Sequence, residues 1–238
     1  MEHLASPVFW LALGNIILVN IVLSGDNAIV IAMAARSLPP EQQRKAIFFG
    51  SAGAIVLRIV LTLFAVTLLT LPHLKIVGAI LLFYIGAQLL SEDDGPQESQ
   101  HHTTLAVAIR TILVADLVMS LDNVLGVAAA AKGDVTLLVA GLMISIPLII
   151  FGSQLILRIM ERAPVIIAFG AALLGYLAGE MLFSDPALQG WVATNVPWHG
   201  WKVPGTGFAL SLPGLISAVA VVLTGRWMAR STTAAKST

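Results

Sequence analysis

The chain has 238 residues, of which 58% are hydrophobic and only 11% charged. Soluble domains carry about 25% charged residues, so the excess apolar surface has to face lipid. With a formal net charge of zero, nothing in the charge balance suggests nucleic-acid binding. The absence of cysteine excludes disulfides, thiolate metal sites and cysteine nucleophiles together.

Met1-Glu2-His3 lacks the basic residues of a secretory signal, so the first apolar run is expected to remain as a helix. A spanning helix needs roughly 20 mostly apolar residues. Seven segments meet that requirement: 8–35, 46–70, 73–91, 105–131, 134–156, 163–183 and 206–228. The expected fold class is therefore all-α, a polytopic membrane protein forming a single transmembrane domain over 1–238. Its cytosolic linker, 92–104, holds Glu92, Asp93, Asp94, Glu98, His101 and His102 and reads as a solvated connection. The stretch 184–205 is an outer loop whose Trp191, Trp198 and Trp201 suit the membrane–water interface. A tail over 229–238 follows the seventh span.

Orientation follows from Lys and Arg. With the N-terminus outside, Arg36, Arg44, Lys45, Arg110, Arg158, Arg162, Arg226, Arg230 and Lys236 fall on the inner side. Only Lys75, Lys132 and Lys202 fall outside, which predicts N-out and C-in. Arg58 lies within a span.

Residues 16–36 and 112–132 align without a gap. Ser24-Gly25-Asp26-Asn27 matches Ser120-Leu121-Asp122-Asn123, and Asn20 falls opposite Asp116. Tyr84 and Tyr176 also coincide, as do Pro72 and Pro164. Repeat one therefore covers 8–91 and repeat two 105–183, three spans each. An odd number of spans inverts the second unit, and inverted repeats are a transporter architecture with the site near the midplane. The seventh span is expected to pack on the flank.

Asp26, Asp116, Asp122 and Arg58 lie well inside spans, and Glu180 lies nearer the outer surface. An ionised group at the bilayer centre costs about 3 kcal/mol, so these groups are expected to share a protein interior. Arg58 neutralises one carboxylate, leaving acids that bind a cation or protons. Ser24 and Gly25 weaken the helix beside Asp26, which predicts local opening and free carbonyls. Carboxylate, amide and carbonyl oxygens select hard divalent cations such as Mn²⁺, Mg²⁺ or Ca²⁺. Met33, Met119 and Met143 offer softer sulfur or simple packing.

Each group also has a structural reading. Asp26 and Asp122 can cap a broken helix or pair with Arg58, and Asp116 is less diagnostic because its counterpart Asn20 is uncharged. Glu180 can simply reach the outer interface. The tyrosines read as packing residues with satisfied hydroxyls.

At Leu23-Ser24-Gly25-Asp26-Asn27-Ala28 and Ser120-Leu121-Asp122-Asn123-Val124 the sequence resembles the TerC family of integral membrane proteins. The resemblance covers residues 8 to 183. It implies kinship with lysine-exporter-like membrane proteins, and an association with manganese efflux and tellurium resistance. It also implies that Asp26, Asn27, Asp122 and Asn123 hold the metal, with Asp116 as a further acidic position. Asn20, Ser24, Ser120, Arg58 and Glu180 are the supporting residues.

The leading expectation is a non-enzymatic exporter of divalent metal ions, chiefly Mn²⁺, coupled to protons, with no resident cofactor. One alternative is a membrane-embedded partner of the secretion machinery that supplies metal to exported proteins. Another is an intramembrane aspartyl protease, since paired buried aspartates can share a proton. Leu23 and Leu121 stand where such enzymes carry Gly and Tyr. The expected partners are the lipid bilayer, the metal ion, and a second copy of the chain or a secretion component.

Overall fold

The computed structural model describes residues 7–64, 71–94, 104–131, 135–196, 200–202 and 209–236. Seven long helices account for most of them: α1 (Pro7–Arg36), α2 (Pro40–Leu63), α3 (Leu74–Asp94), α4 (Leu105–Ala131), α5 (Val135–Arg162), α6 (Val165–Phe183) and α8 (Leu212–Lys236). A short helix α7 (Pro186–Asn195) follows α6, and strands β1 (Gly200–Lys202) and β2 (Ala209–Ser211) pair antiparallel. Among the described residues, five stretches are long and apolar enough to cross a membrane: Pro40–Leu63, Leu74–Glu92, Val139–Arg162, Val165–Phe183 and Leu212–Ser231. Phe151, Val165, Phe169, Ile216, Leu223 and Trp227 are each more than half exposed on these helices, as lipid-facing side chains should be.

Several boundaries differ from expectation for local reasons. Helix α2 starts at Pro40 rather than 46, because proline is pre-organised for a first helical turn and the polar run Glu41–Lys45 continues it. The outer stretch 184–205 is not a plain loop. Asp185 caps α7 and Pro186 opens it, an Asp-Pro start signal. The last helix begins at Leu212, since Ala209–Ser211 are drawn into the strand pair. Helix α1 also runs unbroken through Ser24 and Gly25, against the expected opening. In lipid an unsatisfied backbone N–H or C=O costs several kcal/mol, which outweighs the ~1 kcal/mol helix penalty of one glycine.

Two compact units form, and neither is a sequence repeat. One comprises 1–69 and 105–158, the other 70–104 and 159–238. The first therefore gathers α1, α2, α4 and most of α5; the second gathers α3, α6, α7 and α8. Helix α1 packs on α4 in the first unit, and α3 packs on α6 in the second. The seventh span does more than flank the repeat, because α8 packs on both α3 and α6.

Small residues permit these approaches, as is usual between membrane helices. A Cβ at Gly50 would lie 2.8 Å from Ile112 Cδ1, and one at Gly53 would lie 2.8 Å from Leu113 Cδ2, so α2 lies close on α4. In the second unit a Cβ at Gly179 would overlap the Pro213 carbonyl and come within 2.8 Å of Gly214 Cα. Both obstacles are backbone and cannot rotate away. Gly179→Ala is therefore expected to destabilise the α6–α8 contact by about 2 kcal/mol, read as a lowered Tm of the purified protein.

Candidate functional site

The site begins with the buried stripe of α2. Ile47, Gly50, Ser51, Ala54, Ile55, Arg58, Leu61 and Thr62 recur at helical spacing and are all buried. Arg58 belongs to that stripe, so its charge points into protein rather than lipid, and it is only 2% exposed. On α4, Ile112, Ala115, Asp116, Met119 and Ser120 form the facing stripe. The glycine-lined approach of α2 brings the two stripes together.

Arg58 Nη2 donates to Asp116 Oδ1 at 2.5 Å, and Arg58 Nε donates to Ser120 Oγ at 3.0 Å. Ser120 Oγ in turn donates to Asp116 Oδ2 at 3.2 Å. Asp116 is 5% exposed and Ser120 fully buried, so the triad is shut inside its unit. Residues 116 and 120 are one turn apart, which is why both reach the same guanidinium. Thr62 Oγ1 donates to the Arg58 carbonyl at 2.7 Å and fixes the next turn of α2.

Asp26 sits in the same unit on α1, half-buried, with the Asn27 backbone N–H donating to its Oδ1 at 2.8 Å. The charges of Arg58 and Asp116 both act on it. Among the described residues Asp26 enters no ion pair; the one ion pair there is Arg58–Asp116. Asn27 is buried, and Gly25 leaves open space where a side chain would stand. The helix positions of Asn20, Ser24 and Asp122 are described, on α1 and α4, but their side chains lie outside the described residues, as does His101-His102. Asn123 is half-buried on α4.

Glu180 lies in the other unit, exposed, one turn from the end of α6, and accepts a hydrogen bond from Tyr176 at 3.2 Å. The Tyr176 hydroxyl also accepts the Ser211 backbone N–H at 3.1 Å. Of the methionines, Met33 and Met119 are core packing residues and Met143 is exposed.

Sequence reasoning missed Asp185. The side chain is fully buried and accepts four backbone N–H groups: Ala187 at 2.8 Å, His73 at 3.0 Å, Lys75 at 3.1 Å and Ile76 at 3.3 Å. One carboxylate thus caps both α7 and the start of α3, where His73 adopts φ 68°. Burial opposes its charge, but the four N–H donors prevail and hold the carboxyl below the ordinary aspartate range. Ser184-Asp185-Pro186 was readable as a helix start; the partners about 110 residues upstream were not.

Residues 5–233 match the Integral membrane protein TerC family. The chain is 45% identical over 195 residues to the uncharacterized membrane protein YjbE of Bacillus subtilis (strain 168), covering 82% of this chain and 88% of YjbE. It is 27% identical over 190 residues to the uncharacterized membrane protein YceF of the same organism, covering 76% and 74%. Its identity to the UPF0053 inner membrane protein YgdQ of Escherichia coli (strain K12) is 28% over 179 residues, covering 68% and 75%. No solved structure matches the chain. The protein belongs to the TerC family of integral membrane proteins.

Proposed function

We propose that this protein exports divalent metal ions, with Mn²⁺ the main cargo, in exchange for protons. One observation carries the reading. Asp26, a half-buried carboxylate outside any described ion pair, stands on a helix packed directly against α4, which bears Asp122-Asn123. An ionisable group in a span is functional by default, because its burial is too costly to keep for packing alone. Asp26 and Asn27 from α1, with Asp122 and Asn123 from α4, would supply the hard oxygen donors that suit Mn²⁺ or Mg²⁺.

Packing of matched helices, α1 with α4 and α3 with α6, supports a pair of three-helix repeats of opposite topology. Carboxylates that take either a metal ion or protons supply the route to exchange. The lysine and arginine bias supports an N-terminus outside and a C-terminus inside. Isothermal titration of the purified protein with Mn²⁺, Mg²⁺, Ca²⁺ and Zn²⁺ tests the cargo assignment. Saturable binding strongest for Mn²⁺ is expected. Stronger binding of Zn²⁺ or Ca²⁺ would overturn the choice of ion, and no binding of any of the four would overturn the function.

A further inference from the structure

Arg58 is the one basic side chain of the described spans that is held inside the protein, and the reading above leaves it without a task. A guanidinium keeps its charge at any accessible pH, so a buried arginine needs a permanent anion beside it. Asp116 supplies that anion, and Ser120 ties the two together. Asp116 is therefore not equivalent to Asp26.

Helix geometry separates Asp116 from the Asp122-Asn123 pair as well. Six residues along α4 amount to about 9 Å of rise and about 240° of rotation, so positions 116 and 122 fall on different faces of the helix. An ion held by Asp122 would find Asp116 turned away, toward α2. A metal ion taking Asp116 would also strand the Arg58 guanidinium, buried and unpaired, beside a divalent cation.

We propose that Arg58 is a resident cation that neutralises Asp116 and thereby sets the charge of the ion site. The inference rests on Asp26 and Asp122 being the cargo ligands. With Asp116 neutralised, those two carboxylates carry two negative charges, which a divalent ion cancels. A monovalent ion leaves one charge buried, and a trivalent ion adds one. Arg58 is thus a specificity residue acting through electrostatics, although it touches no cargo.

The test is a charge-swap cycle, read as Mn²⁺ affinity of purified, folded protein. Asp116→Asn leaves an uncompensated cation within reach of Asp26 and is expected to weaken Mn²⁺ binding by about tenfold or more. Arg58→Gln frees a carboxylate and is expected to tighten Mn²⁺ binding about tenfold and to create block by Gd³⁺. The double variant Arg58→Gln/Asp116→Asn should return to within about threefold of wild type, because the charge is restored.

A purely structural pair predicts losses of the same sign in both single variants, and that outcome overturns the proposal. Equal loss in Asp116→Asn and in the double variant also overturns it, since Asp116 is then a ligand. Should Arg58→Gln not fold, Arg58→Lys keeps the charge. It should bind Mn²⁺ as the wild type does, and a tenfold loss there counts against the proposal. Wild-type protein that binds no Mn²⁺ is a separate result, visible before any variant is made, and it removes the functional reading and this inference with it.

Discussion

Asp26→Asn is expected to lower Mn²⁺ transport about a hundredfold while leaving the fold intact. The substitution keeps size and shape and removes one negative charge. Its oxygen can still accept the Asn27 backbone N–H that Asp26 Oδ1 accepts now, so α1 loses little. A cation bound there loses far more. Removing one partner of a buried charge interaction costs about 3 kcal/mol, roughly two powers of ten in affinity. Asp122→Asn should match it, because the aligned motif gives Asp122 the same role. Asn27→Ala should cost less, about tenfold, because it deletes a neutral donor. Uptake of Mn²⁺ into liposomes containing each variant reads the effect. Wild-type rates in both aspartate variants, with protein content equal, would remove both from the site.

The second large effect concerns stability rather than transport. Asp185→Ala is expected to lower stability by about 3 kcal/mol. It leaves four backbone N–H groups without their acceptor, and it deletes the α7 N-cap, itself worth about 1 kcal/mol. The penalty is shared between two distant segments, so the start of α3 and the start of α7 should loosen together. Asp185→Asn should cost less, since an amide oxygen can still accept part of the set. The pH dependence has a definite sign. A carboxyl held below its ordinary pKa of 3.8 stabilises the fold fully above that value, and the contribution fades as pH falls through the folded pKa. The gap in Tm between wild type and Asp185→Ala should stay constant from about pH 8 to 5 and shrink below about pH 4. A gap that widens on acidification would contradict the assigned role.

Burial was the most legible property of this chain. Apolar runs marked all seven long helices, three of them with an end six to eight residues off, because lipid demands a minimum length and forbids interior charge without purpose. Ends governed by polar residues were less legible. The start of α2 at Pro40 and the α7 helix follow capping chemistry, whereas the spans follow hydropathy. Gly25 misled for a related reason: helix propensity measured in water underestimates how firmly a membrane holds its backbone hydrogen bonds together.

Within the site, the sequence marked Arg58 and Asp116 as buried charges but not as partners. Arg58 had several acidic candidates. The choice of Asp116 depends on the close approach of α2 to α4 at Gly50 and Gly53, and on Ser120 lying one turn beyond Asp116. Glu180 joined the candidates because its depth was ambiguous, and its place near the end of α6 resolved it to an exposed partner of Tyr176. The division into units was also hidden. Each unit takes helices from both halves of the chain, which no run of the sequence announces.

Transport of Mn²⁺ by the purified protein alone is the most direct test of the account. Reconstituted into liposomes with a proton gradient, the wild-type chain should move Mn²⁺ saturably, above protein-free liposomes, and the flux should collapse when the gradient is dissipated. Flux no greater than that of empty liposomes, from protein shown to be folded, would contradict it.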